Sequence, residues 1–201
     1  MRIVFLTLIC FISGAIPYSY ILGKVFLGKD IREFGDGNPG AANAFRAGGI
    51  LVGVAAAIMD FLKAFLPIFF LKNVLPPNSL GTCMVFIAPI LGHAFTPFFL
   101  FKGGKAVATT YGVWMAVTNF GALPYMGIFM LLLVLLQRQD SWTVVLGFAL
   151  FSIYPLFIKG NSVLLALYFA NFAVLVYKHY TDMKGGIAPR DWLLRLVGVR
   201  K

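Results

Sequence analysis

Long stretches without a charged side chain dominate the pattern of hydrophobic and polar positions along the chain. Five stretches contain no Asp, Glu, Lys or Arg: residues 3–23, 73–101, 106–137, 141–158 and 160–177. A transmembrane helix needs about 20 predominantly apolar residues, with about 17 as the lower limit. The apolar residues here run continuously, whereas the strands of a membrane β-barrel alternate between apolar and polar positions. The pattern therefore predicts an all-α protein with several membrane-spanning helices.

Dividing these stretches by length predicts about seven helices. They are residues 3–23, 50–72, 80–101, two short spans within 106–137, then 141–158 and 160–177. Residues 106–137 are too long for one span, and Asn119, Gly121 and Pro124 favour a break near their middle. Only Asp60 and Lys63 interrupt the second span. Their i, i+3 spacing places them on one helix face, so we expect a structural ion pair.

Composition strengthens the membrane interpretation and charge orients it. Hydrophobic residues make up 60% of the chain and charged residues 12%, about half the charged share of a soluble protein. A soluble enzyme, a disordered chain and a nucleic-acid-binding domain therefore fit poorly. With seven spans and the N-terminus outside, thirteen of the 17 Lys and Arg residues fall on the inner side. The positive-inside rule thus predicts an outer N-terminus and a cytoplasmic C-terminus.

The tail, residues 181–201, has two interpretations. Trp192, Leu193, Leu196 and Val197 beside basic residues fit a short interfacial helix. A basic segment that only anchors the topology is at least as consistent with the composition.

The first candidate site lies in the loop between the first two spans. Gly35, Gly37 and Gly40 permit turns that expose backbone N–H groups. Such groups bind phosphate oxygens, and Arg32 and Arg46 would add charge-assisted hydrogen bonds. A flexible basic loop without a ligand explains the same residues equally well.

The second candidate site is Lys102-Gly103-Gly104-Lys105, which opens the predicted helix that follows it. A helix N-terminus beside a lysine is a natural anion site, although the spacing of a Walker loop is absent. His93 precedes this loop, and a lone histidine there is more often a hydrogen-bonded interior residue than a catalyst.

Two weaker candidates lie at helix ends. Arg138 and Ser141 stand where one predicted span ends and the next begins, while His179 and Asp182 lie one turn apart at the inner end of the last span. The scattered histidines and cysteines match no metal-binding spacing, so we expect no metal and no cofactor. The loops instead favour a phosphorylated anion with a lipid-soluble partner. A small anion transporter and a purely structural membrane subunit remain alternatives.

These residues resemble the bacterial acyl-phosphate:glycerol-3-phosphate acyltransferases, integral membrane enzymes of phospholipid synthesis. The first loop is similar to that family's D-[IL]-R-x-x-G-S-G-N-x-G-A-x-N-x-x-R motif, from Asp30 to Arg46. The second is similar to G-H-x-F…F-x-G-G-K-G-V-A-T, from Gly92 to Thr109. Asp60-Phe-Leu-Lys63 is similar to a family D-x-x-K, and the matches follow the same order over most of the chain.

The resemblance implies a single transmembrane acyltransferase domain over residues 1–201, in the bacterial inner membrane, with its active-site loops on the cytoplasmic face. It implies transfer of a fatty acyl group from acyl phosphate to the 1-hydroxyl of glycerol 3-phosphate, without metal, cofactor or nucleic acid. The expected catalytic residues are Lys105, Ser141, His179 and Asp36. The expected substrate-binding residues are Arg32, Gly35, Gly37, Asn38, Gly40, Asn43, Arg46, Lys102, Gly103, Gly104 and Asp182.

Four positions depart from the family pattern. Asp36 replaces a serine, Ala106 a glycine and Asp182 an asparagine, and the arginine expected after Asp182 is missing, although Lys184 lies next to its position. An ionised carboxylate about 4 Å from a phosphate charge costs on the order of 4 kcal/mol at an effective dielectric constant near 20. Either Asp36 acts as a general base for the acceptor hydroxyl, or the chain is a paralogue with another acceptor or weak activity.

Overall fold

The computed structural model describes residues 1–196, in which the chain is almost entirely helical. The helices are α1 Arg2–Ala15, α2 Tyr18–Leu27, α3 Ala41–Gly48, α4 Ile50–Leu71, α5 Leu80–Ala94, α6 Val107–Thr118, α7 Leu123–Leu136, α8 Asp140–Leu150, α9 Ser162–Met183 and α10 Asp191–Leu196. Single 3₁₀ turns occupy Ile31–Glu33, Lys72–Val74 and Pro97–Phe99, and a π-helical turn occupies Tyr154–Lys159. The all-α prediction is therefore confirmed.

Five helical stretches are long and apolar enough to cross a membrane. They are Arg2–Leu27, which combines α1 and α2 across Pro17, and then Ile50–Val74, Leu80–Phe99, Asp140–Lys159 and Ser162–Met183. A membrane protein is thus confirmed, whereas the number of seven spans is not.

The predicted break within residues 106–137 is present and explains the difference. Helix α6 ends where Asn119 and Phe120 adopt positive φ angles of 50° and 64°. The two helices on either side contain 12 and 14 residues. At 1.5 Å per residue each is about 20 Å long, which is less than the roughly 30 Å hydrocarbon core.

Small residues bring the central helices close together. A Cβ atom on Gly14 of α1 would overlap the backbone of Pro89 in α5, and one on Gly92 would overlap the carbonyl oxygen of Phe11. A Cβ on Gly112 of α6 would similarly overlap the carbonyl oxygen of Phe61 in α4. Close backbone approach at small residues is typical of helix packing in membranes. It brings α1, α5, α4 and α6 together beneath the candidate loops.

The expected ion pair in the second span is present and buried. Lys63 Nζ lies 2.7 Å from Asp60 Oδ1, and both side chains are 2% exposed. Ser19 Oγ donates to Asp60 Oδ2 at 2.5 Å, and Lys63 Nζ donates to the carbonyl of Ile16 at 2.7 Å. The pair therefore ties α4 to the junction of α1 and α2.

The C-terminal segment packs against the end of α7. Arg190 Nε donates to the carbonyls of Val134 and Gln137 at 3.1 and 3.2 Å, and Trp192 Nε1 donates to that of Leu135 at 3.0 Å. These carbonyls belong to the end of α7, where intrahelical donors are lacking. A short helix, one of the two interpretations of the tail, is present as α10. Val197 and Arg200, which belong to that interpretation, lie outside the described residues.

Candidate active site

A cavity of about 520 Å³ lies where the two candidate loops meet the ends of α8 and α9. Nine predicted site residues line it: Asp36, Asn38, Gly40, Asn43, Arg46, Lys105, Ser141, His179 and Asp182. They come from four separate stretches of the chain, so the helical packing brings together what the sequence holds apart. The rest of the wall is largely apolar and includes Ala41, Val107 and Val144.

Lys105 lies at the junction of these stretches. Its Nζ is 2.5 Å from Asp36 Oδ2 and also forms an ion pair with Asp182 Oδ2. Ser141 Oγ lies 3.4 Å from the same oxygen of Asp182. We call Lys105, Asp36 and Asp182 the lysine–carboxylate cluster. Both carboxylates that depart from the family pattern thus contact one ammonium group, which offsets part of their charge.

The contacts within the cluster shift the pKa values of Lys105 and Asp36. Burial alone would lower the pKa of Lys105, but the hydrogen bonds and charges of Asp182 and Asp36 outweigh burial and raise it. Burial alone would raise the pKa of Asp36, but hydrogen bonds from Lys105, the Asn38 amide and Asn43 hold it below its ordinary value. Both groups are therefore charged near neutral pH.

A chain of hydrogen bonds shapes the first loop. Asp36 Oδ1 accepts from the backbone N–H of Asn38 at 3.1 Å and from Asn43 Nδ2 at 2.8 Å. Asn43 Oδ1 in turn accepts from Arg46 at 2.7 Å. Gly37 makes the turn with φ of 74°, in the left-handed region that favours glycine.

Helix α3 begins at this cavity. Gly40, Ala41 and Ala42 line it, and the first N–H groups of a helix have no intrahelical acceptor. An N-terminus of this kind attracts anions through its N–H groups and its dipole. Together with Arg46 and Lys105, it gives the cavity an end suited to a phosphate group.

His179 and Ser141 both line the cavity. His179 is 2% exposed, and its Nδ1 lies 2.8 Å from the carbonyl oxygen of Leu175. Because a carbonyl only accepts hydrogen bonds, Nδ1 carries a proton, and in the neutral imidazole Nε2 then keeps a lone pair. Ser141 is 3% exposed and stands in the first turn of α8. The two side chains offer an acceptor and a hydroxyl to a polar ligand.

Six predicted residues do not line the cavity: Arg32, Gly35, Gly37, Lys102, Gly103 and Gly104. The guanidinium of Arg32 pairs with Asp30 at 2.6 Å. It also lies 4.9 Å from the ring centres of both Tyr20 and Phe99, so it joins the first loop to α2 and to the 3₁₀ turn Pro97–Phe99. Lys102 is exposed at the loop surface. Neither basic side chain reaches the end of the cavity that is suited to a phosphate group.

Gly103 and Gly104 serve packing instead of exposing N–H groups. The N–H of Gly103 donates to the carbonyl of Ala94 at 3.1 Å, and that of Gly104 donates to the carbonyl of His93 at 3.0 Å. A Cβ on Gly104 would overlap the imidazole of His93. These glycines therefore let the segment before Lys105 lie directly on α5.

Ala106 occupies a backbone conformation suited to glycine. Its φ is 62°, and it forms the N-cap of α6. A non-glycine residue in the left-handed region costs roughly 1–2 kcal/mol. The glycine found here in the family pattern thus has a conformational reason, and this chain carries the strain.

Several wall residues were not among the predicted site residues. Gln139 contacts the backbone carbonyl of Asp182 through its side-chain amide. Asp60 and His93 reach the cavity floor, with His93 Nδ1 3.8 Å from Asp60 Oδ1, although we expected both to be structural. Among residues 1–196, no three His, Cys, Asp or Glu side chains group closely enough to hold a metal ion.

Comparison with known proteins identifies the family of this chain. The sequence model of the glycerol-3-phosphate acyltransferase family matches residues 4–188. The chain belongs to this family. Glycerol-3-phosphate acyltransferase 1 of Thermotoga maritima is 38% identical over 194 residues, covering 90% of this chain and 95% of that protein. Glycerol-3-phosphate acyltransferase 2 of Bacillus anthracis is 38% identical over 184 residues, covering 89% and 93%.

Solved structures agree as well. The chain is similar to crystal structures of PlsY (YgiH), an integral membrane glycerol 3-phosphate acyltransferase. The glycerol 3-phosphate form has a TM-score of 0.79 and 28% identity, with 98% of this chain and 99% of that chain covered. The lysophosphatidic acid form has a TM-score of 0.78 and 27% identity, with 98% and 100% covered. The protein is therefore an integral membrane acyltransferase that acts on glycerol 3-phosphate, as the motifs predicted.

Proposed function

We propose that the acyl donor is an acyl phosphate and that the acyl group goes to the 1-hydroxyl of glycerol 3-phosphate. The bond between the acyl carbon and the phosphate oxygen breaks, an ester bond forms, and the products are 1-acyl-glycerol 3-phosphate and inorganic phosphate. The proton of the hydroxyl leaves with the phosphate. The observation that carries the proposal is a cavity that has Arg46, Lys105 and the start of α3 at one end and a largely apolar wall beside them, which suits a substrate with both a phosphate and an acyl chain.

Different residues of the cavity wall have different roles in this reaction. Asn38, Arg46 and the first N–H groups of α3 bind phosphate, and Lys105 neutralises charge on the acyl phosphate. Ser141 and His179 orient the acceptor hydroxyl. Phosphate is a good leaving group, so orientation and electrostatic stabilisation supply most of the acceleration. We propose that the single domain expected over residues 1–201 carries this reaction.

Asp36 fits a positioning role better than that of a general base. One of its oxygens accepts from Asn43 and the Asn38 amide, and the other pairs with Lys105. A pKa held below its ordinary value makes a carboxylate a weak base near neutral pH. His179, with a lone pair on Nε2, is the better candidate to accept a hydrogen bond from the hydroxyl.

The assay uses purified protein in detergent with an acyl phosphate and glycerol 3-phosphate, and it detects 1-acyl-glycerol 3-phosphate by mass spectrometry. Lys105→Ala is the control. We expect product from the wild type, little from Lys105→Ala, and none when acyl-CoA replaces acyl phosphate. Activity with acyl-CoA alone would refute the proposed donor. Product at the level of Lys105→Ala would refute the proposed chemistry, and phosphate flux in proteoliposomes without product would favour a transporter.

Asp36→Ser separates the two explanations of the acidic substitution. A fall in activity supports a working role for Asp36 in this enzyme. A rise would instead indicate a paralogue whose site has drifted from efficient use of glycerol 3-phosphate.

We further propose that the cavity opens toward the cytoplasm of a bacterial inner membrane, with the N-terminus outside. The excess of Lys and Arg on the loops beside the cavity supports this orientation. The native cysteines, Cys10 and Cys83, are buried. Single cysteines at Lys102 and Lys159, both exposed, therefore test it in intact cells. A membrane-impermeant maleimide is expected to label Lys159→Cys and spare Lys102→Cys, and the reverse result would invert the topology.

A further inference from the structure

Lys178 makes a contact that the reaction scheme above does not use. It lies on α9 one residue before His179, yet it does not line the cavity. Its Nζ donates to the carbonyl oxygen of Gly103 at 2.8 Å and to that of Ala94 at 3.1 Å. Hydrogen bonds from a charged donor are worth roughly twice those between neutral groups. The amine thus joins α9 to two other segments at once.

Those two carbonyls form the base of the phenylalanine-rich loop, residues 95–102. At this base Gly103 N–H donates to Ala94 at 3.1 Å, and Gly104 N–H donates to His93 at 3.0 Å. A Cβ on Gly103 would overlap the His93 carbonyl. The segment that leads to Lys105 therefore lies directly against the end of α5. Lys178 attaches this base to α9.

Helix α9 therefore holds the segment 103–105 at both ends. Lys178 binds the carbonyl of Gly103, and Asp182 pairs with the ammonium of Lys105 two residues further on. Lys178 and Asp182 are four residues apart, which places them on one face of the helix. Without the contact between Lys178 and Gly103, only the ion pair with Asp182 would fix the position of the long, flexible Lys105 side chain.

We propose that Lys178 is a positioning residue that fixes the glycine-rich segment against α9, so that the Lys105 ammonium stands in the cavity beside His179. The inference rests on the role proposed for Lys105. Lys178 contacts neither substrate. It sets the distance between Lys105 and His179, which do contact substrate.

The test compares Lys178→Met, Lys178→Gln and Lys178→Arg with Lys184→Met as a matched control. Lys184 lies six residues further along and is exposed, so its replacement removes the same charge without touching the loop base. Hydrogen exchange of the amides of Gly103 and Gly104 reports the attachment directly. Acyl transfer measured at varied glycerol 3-phosphate reports its consequence.

In Lys178→Met, we expect faster exchange at both glycines and a 10- to 100-fold lower kcat, since misplacement by about 1 Å can cost this much. Lys178→Arg should restore most of both values, because a guanidinium can reach the same carbonyls. Lys178→Gln retains a neutral donor and should lie between them, and it provides a milder variant should Lys178→Met fail to fold. Lys184→Met should match the wild type in both measurements.

The two readouts separate this inference from the proposed function. Unchanged exchange in both Lys178→Met and Lys178→Gln would overturn the attachment. Faster exchange with a wild-type kcat would overturn the positioning role. If Lys105→Ala retained activity, the role proposed for Lys105 would fail, and exchange would still decide whether Lys178 holds the segment.

Discussion

Asp182→Asn tests how the lysine–carboxylate cluster affects the binding of glycerol 3-phosphate. The substitution keeps the size of the side chain and removes one negative charge. In the wild type, Asp182 and Asp36 both pair with Lys105, so the three groups together carry a net charge of −1. After the substitution they are neutral, and the Lys105 ammonium keeps one carboxylate partner and is freer to face a phosphate.

The magnitude follows from the short distances in the cluster. A phosphate oxygen that contacts Lys105 must lie about 4–5 Å from the Asp182 carboxylate, where repulsion between unit charges is about 3–4 kcal/mol at an effective dielectric constant near 20. The carboxylate is 33% exposed, and solvent screening reduces this to about 1–2 kcal/mol. Since 1.4 kcal/mol corresponds to a factor of ten, we expect KM for glycerol 3-phosphate to fall about 5- to 30-fold.

The assay measures KM and kcat for acyl transfer at low and high ionic strength. Asp191→Asn is the matched control, because Asp191 pairs with Arg138 outside the cavity and should leave KM unchanged. The difference between Asp182→Asn and the wild type should shrink as salt rises, since the effect is electrostatic. An unchanged or higher KM in Asp182→Asn would refute the placement of a substrate phosphate beside this carboxylate.

Three further predictions concern stability. Ala106→Gly removes a positive φ strain and should raise the free energy of unfolding by about 1 kcal/mol, whereas Ala108→Gly, within α6, should lower it by about 1 kcal/mol; equal melting shifts would contradict this. Lys63→Met leaves Asp60 buried without its ammonium partner and should destabilise by about 3–5 kcal/mol, with partial recovery when Asp60→Asn is added. Because the pKa of Asp36 is lowered by folding, its contribution is present above the ordinary carboxyl pKa and is lost as pH falls through the lower folded value; the melting difference between wild type and Asp36→Asn should therefore shrink from pH 7 to pH 3.

Hydrophobic pattern and motif spacing predicted much of this molecule. The helices, the break after α6 and the Asp60–Lys63 pair follow from local rules of length, turn residues and helical periodicity. The number of spans did not, because α6 and α7 are short in three dimensions although their combined apolar run is long. Pattern alone cannot decide where a helix ends to within a turn.

Site residues whose role follows from their chemical type were predicted from the sequence. Positions whose role depends on packing were missed. Lys105 and Asp36 belong to motifs, and the helices bring them together. Arg32 belongs to the same motif, but its guanidinium pairs with Asp30 and lies over the rings of Tyr20 and Phe99, and it does not line the cavity. Lys178 resembles any basic residue near the end of a span until the carbonyls that it binds are known.

The contact between the tail and α7 also limits the order in which the helices can assemble as the chain is made. The carbonyls at the end of α7 receive their donors from Arg190 and Trp192, about fifty residues later in the chain. While the ribosome is still making α8 and α9, those carbonyls lack these two donors. The contact between the tail and α7 can therefore form only after α8 and α9 have been translated.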